Sequence, residues 1–443
     1  MSGGRSFQRP KGTRDFLPEA MMLRRHIESA WREASIRHGF EEIDGPTFEH
    51  LDLYTVKSGD GIVSELFSFQ RAGGDTDFAL RPEFTPTLAR MAALQGRSLT
   101  QPTKWFAMPD LFRAERPQRG RLREHRQWNV DCIGLAGPDA DAEVIAVAVT
   151  ALRLLGLTSD DVRVRISHRG TAAAMLQALG VSVDRMDDAF TLVDRRGKLP
   201  TEAFQTQATS LGLDAAAVQR LDDIAATRIP ATTGAATIAA THGLPESAVA
   251  DLVALEGHLA ARGLLGCCDW DLGIVRGLAY YTGTVWEMHD IAGAERAVAG
   301  GGRYDQLVSL FGGPDLPACG FGMGDVVLGL LLQDKGLADA ALAAAPKPDV
   351  FIASSGSDEA EARLVPLATA LRDSGLHVRH THKATRNIGK QLREASACNA
   401  RHVLILGDEL QRGEVVLKHL GTGEQSTVPL ADVTVAIGRS DVG

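Results

Sequence analysis

The stretch FRAERPQRGRLREHRQWNVDCIG, residues 112–134, places the strongest constraint on the fold of this 443-residue chain. Two segments rich in strand-forming residues flank a loop that contains proline and glycine, which are typical of turns. The pattern therefore predicts a long β-hairpin. With the turn centred near Gly120, Arg113 would lie opposite Gln127.

The two arms of this hairpin are unusually polar. In the same register Glu115 would lie opposite His125, and strand alternation puts Arg113 and Glu115 on one face. Alternation also aligns three polar residues of the second arm: Gln127, Asn129 and Asp131. The loop adds four arginines: Arg116, Arg119, Arg121 and Arg123. A solvated hairpin is the alternative, but this mixed-sign face favours a site, and clustered guanidinium groups suit a polyphosphate.

Around the hairpin, the periodicity of apolar residues predicts a mixture of helices and strands. The elements are a helix over residues 19–38, strands over 40–43 and 78–81, a helix that Thr85 caps, and a helix from Pro138 that stops at Gly156. Residues from about 170 to 262 are rich in alanine and threonine and predict an inserted helical module. Residues 269–332 return to strands and glycine-rich turns.

The last hundred residues alternate between strands and helices. Strands are predicted over 350–353, 377–380 and 402–406, and helices over 359–372 and 388–397. Such alternation indicates a small α/β domain with a partly parallel sheet. An alanine-rich stretch over residues 338–348, which ends in Pro-Lys-Pro, is predicted to be a linker.

Composition indicates an ordinary globular protein of a reducing compartment. The chain has five cysteines with no CxxC pair, which argues against a disulfide framework and against structural zinc. We expect neither a signal peptide nor a membrane helix, because charged residues interrupt every long apolar run. A net charge of −9 argues against a global basic field but leaves room for a nucleic acid bound by local patches.

Six stretches, in order, resemble the motifs of the histidyl-tRNA synthetases, a family of class II aminoacyl-tRNA synthetases. The hairpin resembles motif 2. The others are KGTRDFLP (11–18), GFEEIDGPTFEH (39–50, similar to motif 1), LRPEFTP (80–86), VRGLAYYTGTVWE (275–287) and AGGGRYDQLV (299–308). The resemblance implies an α+β fold: an antiparallel class II sheet core with flanking helices, a helical insertion and a C-terminal α/β anticodon-binding domain. It covers nearly the whole chain.

The resemblance also implies roles for individual residues. Histidine binding would fall to Glu83, Phe84, Thr85, Arg113, Gln127, Asp131, Arg276, Tyr280 and Tyr281. ATP binding would fall to Arg113, Glu115, Arg121 and Arg123, and the catalytic residues would be Arg113 and Arg276. The tyrosine pair suits an imidazole, since a buried hydroxyl needs a partner and the ring can donate and accept. The alternative is that both tyrosines are ordinary core aromatics.

The sequence departs from the family pattern in two places. Val326 and Val327 stand where motif 3 usually ends in a Glu-Arg pair, and Ala279 stands where an aspartate commonly precedes the tyrosines. Arg121, Arg123 or Arg303 would then compensate for the missing arginine. Alternating glycines over residues 320–324 predict a bare strand face for adenine, followed by a helix that Asp325 caps.

The expected organisation follows from these motifs. The catalytic core would comprise residues 1–169 and 263–335, the insertion 170–262, the linker 336–348 and the anticodon-binding domain 349–443. The expected activity is the ATP-dependent joining of histidine to tRNA(His) by a cytoplasmic homodimer. Mg²⁺ would be carried on the phosphates of ATP, without a metal site of its own.

Three alternatives compete with this interpretation. The first is a non-catalytic, synthetase-like regulatory subunit of histidine biosynthesis, which the missing motif 3 arginine favours and the C-terminal domain opposes. The second is an RNA-binding module without catalysis, which the retained amino-acid pocket opposes. The third is a dinucleotide-binding fold, because residues 320–324 read GxGxG; the glycine spacing is wrong, and no acidic residue follows on a second strand.

Overall fold

The computed structural model describes residues 7–58, 60–196, 199–275, 280–293, 295–343, 346–383 and 387–439. The chain divides into two compact units, Met1–Ala343 and Ala344–Gly443. Helices of the first unit are α1 (Pro18–Arg37), α2 (Asp52–Ser58), α3 (Thr85–Gln95), α4 (Pro138–Leu154), α5 (Arg169–Ala178), α6 (Met186–Asp194), α7 (Thr201–Ser210), α8 (Ala215–Ala226), α9 (Ala236–His242), α10 (Ala250–Ala261), α11 (Leu307–Leu310), α12 (Asp325–Asp334) and α13 (Asp339–Ala343). Its strands are β1 (Glu41–Glu42), β2 (Phe48–His50), β3 (Ser68–Gln70), β4 (Asp77–Leu80), β5 (Thr103–Ala107), β6 (Asp110–Phe112), β7 (Glu124–Ile133), β8 (Val162–His168), β9 (Ile229–Pro230), β10 (Cys268–Trp270), β11 (Thr284–Asp290), β12 (Ala299–Arg303) and β13 (Ala318–Gly324).

A ten-stranded sheet forms the centre of the first unit. Its strand order is β1-β5-β7-β13-β12-β11-β8-β10-β9, and β6 pairs with β7 beside this path. The pairs from β5 through to β8 are antiparallel, whereas β1 is parallel to β5 and β10 is parallel to β8. The mainly antiparallel sheet confirms the predicted α+β class. It also brings β7, β13, β12 and β11 side by side, although they are far apart in sequence.

Helices α1 and α4 pack on this sheet and bury its apolar residues. Trp31 of α1 stacks on Trp128 of β7 with ring centroids 5.9 Å apart, and Phe321 of β13 meets Trp128 edge-on at 5.0 Å. Both tryptophans are fully buried, so these large rings account for much of the local apolar burial. Side chains of the helical segment from α5 to α10 belong to the same hydrophobic cluster.

Most predicted elements of the first unit are confirmed, with three corrections. Helix α3 begins at Thr85 itself and Phe84 takes the N-cap position, so the predicted cap is displaced by one residue. The strand predicted over residues 40–43 is limited to β1, where a single neighbour, β5, supplies partners. Helix α13 lies within the predicted linker because its alanine-rich face packs on α1 and buries Ala341.

The second unit contains β14 (Val350–Ser354), α14 (Asp358–Asp373), β15 (Val378–His380), α15 (Ile388–Ala397), β16 (His402–Leu406), β17 (Glu414–His419), β18 (Gln425–Pro429) and α16 (Val433–Arg439). The strand order is β15-β14-β16-β17-β18, in which the first three strands are parallel and the last two pairs antiparallel. The partly parallel sheet confirms the prediction, which had not included β17 and β18. Across the described parts of both units, we find no helix with the length and apolar character needed to span a membrane.

Candidate active site

A cavity of about 500 Å³ opens over the central strands of the first unit. Strands β7 and β13 form its floor, with Gly320 opposite Asp131 and Gly324 opposite Gln127. Eight of the predicted site residues line it: Glu83, Thr85, Arg113, Arg121, Gln127, Asp131, Tyr280 and Tyr281. The fold therefore gathers the predicted residues from three separate stretches of sequence around one cavity.

The glycines of β13 leave room for polar side chains of β7. A methyl group on Gly320 would overlap the carboxylate of Asp131, and one on Gly322 would lie 2.8 Å from Cδ of Gln127. The predicted bare face is therefore wrong at these two positions, because side chains of the neighbouring strand fill it. Open space remains over Gly324, where a methyl group would have no neighbour within 4 Å among the described atoms.

Three tyrosines and one carboxylate form one end of the cavity. The rings of Tyr280 and Tyr281 lie 4.7 Å apart, and the ring of Tyr304 meets Tyr280 edge-on at 6.1 Å. The Tyr304 hydroxyl donates a hydrogen bond to Oδ1 of Asp131. Tyr304 was not among the predicted pocket residues, although it lies within the AGGGRYDQLV motif.

At this end of the cavity, the pKa of Asp131 lies far from its ordinary value. Burial raises its pKa from 3.8 to about 7, and the hydrogen bond from Tyr304 offsets part of that rise. A carboxyl group with such a pKa ionises readily when a cationic or N–H donor group arrives. An imidazole or ammonium group is therefore a suitable ligand for this end of the cavity.

Guanidinium groups form the other end. Nε of Arg113 donates to the carbonyl oxygen of Pro82 at 3.1 Å, which holds the side chain in place at the lining of the cavity. Arg121 forms an ion pair with Glu115 at 2.6 Å. This end is suited to bind anionic oxygens, as the sequence predicted for a polyphosphate.

The hairpin that carries Arg113 exists, but its predicted register is wrong. Leu111 pairs with His125, so Arg113 lies opposite Arg123 rather than Gln127. The first arm has extra residues between Phe112 and the bridge that joins Gln118 to Arg121. Those extra residues form an irregular bulge, in which Glu115 reaches Arg121 instead of facing His125.

Three predicted residues are absent from the described cavity lining. Phe84 is fully buried in the core beneath it, and Glu115 acts on the cavity only through its ion pair with Arg121. Arg123 turns towards the N-terminal segment, where Nε donates to the carbonyl of Glu115 and Nη1 approaches that of Lys11. Arg276 and Ala279 lie outside the described residues.

Arg303 and Asp325 have structural partners that exclude the roles predicted for them. Arg303 is buried, with Nε 3.2 Å from Asp141 and Nη2 2.7 Å from the carbonyl of Gly137, so it is not free to replace a motif 3 arginine. Asp325 begins α12 without capping it, since its carboxylate accepts from Arg14 at 2.7 Å and from the backbone N–H of Arg126 at 3.0 Å.

His125 is a cavity residue that the sequence placed only as a neighbour of Glu115. Burial, and then the positive charges of Arg113, Arg14 and Arg121, lower its pKa from 6.5 to about 3. The neutral ring is thus the form present near neutral pH. Among described atoms its Nδ1 is buried without a hydrogen-bond partner, and the residue lines the cavity.

We expect His125 to make the protein less stable towards acid. Because its folded pKa lies below 6.5, the unfolded chain binds a proton that the folded chain does not, and stability falls as pH drops from 6.5 towards 3. Between about pH 7.5 and pH 5 the loss should be about 2 kcal/mol. In denaturant unfolding, the wild type should lose this free energy of unfolding between the two pH values, whereas His125→Phe should not show that loss. An NMR titration that places the His125 pKa near its ordinary value would contradict the prediction.

The sheet and its two-ended cavity define the catalytic core of a class II aminoacyl-tRNA synthetase. The crystal structure of histidyl-tRNA synthetase from Nostoc sp. PCC 7120 has the same fold, with a TM-score of 0.80 over 99% of this chain and 100% of that chain, at 24% identity. A family model described as histidyl-tRNA synthetase matches residues 12–324, and a model of an anticodon binding domain matches residues 349–438.

Relatives with the name histidine–tRNA ligase align with this chain over nearly their full length. A histidine–tRNA ligase of Opitutus terrae is 40% identical over 98% of both chains, and one of Halobacterium salinarum is 39% identical over 96% of both. The chain belongs to the histidyl-tRNA synthetase family. The regulatory-subunit alternative is less well supported, because these ligases match both units of the chain.

Proposed function

We propose that this chain activates L-histidine with ATP to give histidyl-adenylate and pyrophosphate, and then transfers histidine to the 3′ end of tRNA(His). The observation that carries the proposal is the two-ended cavity. Its acidic and aromatic end suits histidine, and its guanidinium end, with Arg113, suits ATP. The pairing of these two ends in one cavity is what the first step requires.

At the amino-acid end, Glu83, Thr85 and Gln127 hold the α-amino group. Asp131, supported by Tyr304, and Tyr280 contact the imidazole nitrogens, while Tyr281 packs against the ring. The support is their common position in the cavity and the Tyr304–Asp131 hydrogen bond. A pocket with buried polar groups for both ring nitrogens rejects side chains without them by about 10⁴–10⁵, so no editing step is needed.

At the nucleotide end, the residues act by position and charge. Arg113 bridges the histidine carboxylate and the α-phosphate, which would otherwise repel each other, and holds the attacking oxygen in line. Arg121 binds outer phosphate oxygens and Glu115 orients it. Arg276 is assigned to the α-phosphate from its sequence motif alone. Mg²⁺ enters on the phosphates of ATP, as its preference for phosphate oxygens and water implies.

We assign each step of the proposed function to one of the predicted domains. Residues 1–169 and 263–335 carry out activation, residues 170–262 form the helical insertion, and residues 349–443, beyond the linker at 336–348, bind the anticodon. Exposed Lys383, Lys390 and Arg393 give the last domain a modest basic patch for RNA. We assign the protein to the cytoplasm, in keeping with its free cysteines.

We propose a homodimer assembled through the segment similar to motif 1. Phe48 of β2, Phe69 of β3 and Phe78 of β4 form an aromatic cluster with centroids 5.6 to 5.9 Å apart. Phe48 and Phe69 are 48% and 42% exposed, which is costly for adjacent aromatic rings in water. A second copy of this chain is the partner that would cover them.

The dimer proposal predicts that introducing negative charge into this aromatic cluster weakens self-association. Phe48→Glu with Phe69→Glu should weaken the dimer by about 100-fold or more, because carboxylates would have to be buried in the interface. Light scattering after gel filtration measures the mass directly. Val183→Glu, at an exposed apolar residue elsewhere, is the matched control. A dimer of unchanged strength in the double variant would contradict the proposal.

Histidine-dependent ATP–pyrophosphate exchange tests the function itself. Purified protein should catalyse exchange with histidine and with no other standard amino acid, and should charge tRNA(His). Arg276→Ala beside it tests the residue assigned from sequence. Absence of exchange in well-folded protein would refute the enzyme proposal and restore the regulatory subunit as the leading candidate.

A further inference from the structure

Arg296 lies at the cavity without any role in the proposed function. It belongs to the turn between β11 and β12, is exposed, and lines the same cavity as Arg113 and Arg121. Nothing in the sequence selects it, since the turn has neither periodicity nor a motif. Its chemistry, a permanent planar cation, is the kind that the phosphate end of the cavity requires.

Arg296 lies beside the position of the missing motif 3 arginine. A methyl group built on Gly120, at the tip of the hairpin loop, would lie 3.4 Å from Cγ2 of Val327 and 3.7 Å from Cδ of Arg296. The loop tip, the first turn of α12 and Arg296 therefore converge on one point. Arg296 and Val327 both line the cavity, so a cation at residue 296 lies near the position that valine leaves without one.

The neighbouring residue fastens this turn to the hairpin loop. Arg119 Nε donates to Oε1 of Glu295 at 2.6 Å, and the Glu295 side chain is only 2% exposed. Arg119 also lies 3.5 Å from Asp334 at the end of α12. This buried carboxylate holds the turn in place, so that Arg296 is presented to the cavity by an anchored backbone.

The guanidinium group of Arg296 is available for a ligand. In the part of the chain that the structure describes, it forms neither a hydrogen bond nor an ion pair, in contrast to Arg119 and Arg121. Partial burial lowers its pKa, and the positive charges of Arg121 and Arg113 lower it further while Glu115 opposes them. Three cations thus face one carboxylate, an imbalance that a polyanion would relieve.

We propose that Arg296 binds the β- and γ-phosphates of ATP and supplies the cation that motif 3 lacks in this chain. The inference rests on the proposed function, because it assigns a residue to the ATP of that reaction. It also gives the proposed activity a physical basis despite valine at residue 327. The same phosphates leave as pyrophosphate, so Arg296 contacts substrate in both directions of the exchange reaction.

Pyrophosphate exchange by Arg296→Gln tests the proposal. Loss of a charge-assisted contact should raise the KM for ATP and the KM for pyrophosphate by about 10- to 100-fold. The KM for histidine should stay within about twofold, since its pocket lies at the other end of the cavity. Arg296→Lys keeps the charge and should recover most of the ATP affinity. Arg97→Gln, at an exposed arginine outside the cavity, controls for net charge.

Two results would overturn the assignment. One is a change of less than about twofold in the ATP and pyrophosphate KM values of Arg296→Gln; the other is an equal rise in the KM for histidine, which would indicate a general structural effect. Exchange by the wild type reports separately on the proposed function. If the wild type lacks exchange, equilibrium dialysis with ATP alone still compares the wild type with Arg296→Gln.

Discussion

Replacing Arg113 by alanine is expected to lower the rate of histidine-dependent pyrophosphate exchange by about 10³-fold, more than any other substitution proposed for this chain. Groups that stabilise charge on a transferred phosphoryl contribute about 10²–10⁵ to the rate, and Arg113 is assigned to both the carboxylate and the α-phosphate. The loss should appear mainly in kcat, because the contact to the developing charge is strongest in the transition state. Steady-state exchange at saturating histidine and ATP measures it.

The variant should remain folded. Within the described part of the chain the Arg113 side chain makes one hydrogen bond, from Nε to the carbonyl of Pro82, so its removal costs about 1 kcal/mol of stability. Arg113→Lys keeps the charge without the planar fork and should retain only part of the activity. Arg97→Ala, which removes an exposed charge outside the cavity, should leave the rate unchanged. A reduction of less than about tenfold in folded Arg113→Ala would contradict the assignment.

The hairpin of residues 112–134 illustrates what local sequence can determine. Strand-forming residues around a proline- and glycine-containing loop were sufficient to predict it, because these preferences act over a few residues. Its register depends on segments far along the chain. The backbone N–H of Ala114 donates to the carbonyl of Glu65 at 2.9 Å, and that of Arg123 donates to Gly12 at 2.8 Å. These contacts stabilise the bulge that displaces Arg113, and nothing in the hairpin sequence reports them.

For the site residues too, local sequence indicates single residues but not the partners that come from other parts of the chain. Alternation along one strand placed Asp131 on a polar face, and the family resemblance implied its role in binding histidine. Its partner Tyr304 follows a different strand, and strand order brings the two together. Arg296 lies in a turn whose position depends on the buried Glu295 and on Arg119. In the second unit, β14 and β16 were predictable as apolar runs bounded by turns, whereas β17 lay beyond the last predicted strand.

Asp131→Asn is expected to weaken histidine binding in a way that depends on pH. At about pH 8 the carboxyl group is ionised, and its replacement by a neutral amide should raise the KM for histidine by about 10- to 100-fold. At about pH 6 the wild-type group is mostly protonated, so the wild type itself binds more weakly and the difference should shrink by up to about tenfold. The ratio of the two KM values at each pH removes the titration of histidine itself.

A measurement of the free energy of unfolding distinguishes weaker histidine binding from misfolding of the Asp131→Asn variant. Burial raises the pKa of Asp131 from 3.8 to about 7, so between those values the folded chain holds a proton that the unfolded chain has lost. Ionised Asp131 therefore costs stability, and stability declines as pH rises from 3.8 through 7.

The neutral amide of the Asp131→Asn variant would carry no such cost, because its oxygen can still accept the hydrogen bond from Tyr304. Without histidine, the Asp131→Asn protein should be at least as stable as the wild type at about pH 8, although it binds histidine more weakly. A KM ratio that is constant from about pH 6 to about pH 8 would show that the charge of Asp131 has no part in holding the substrate.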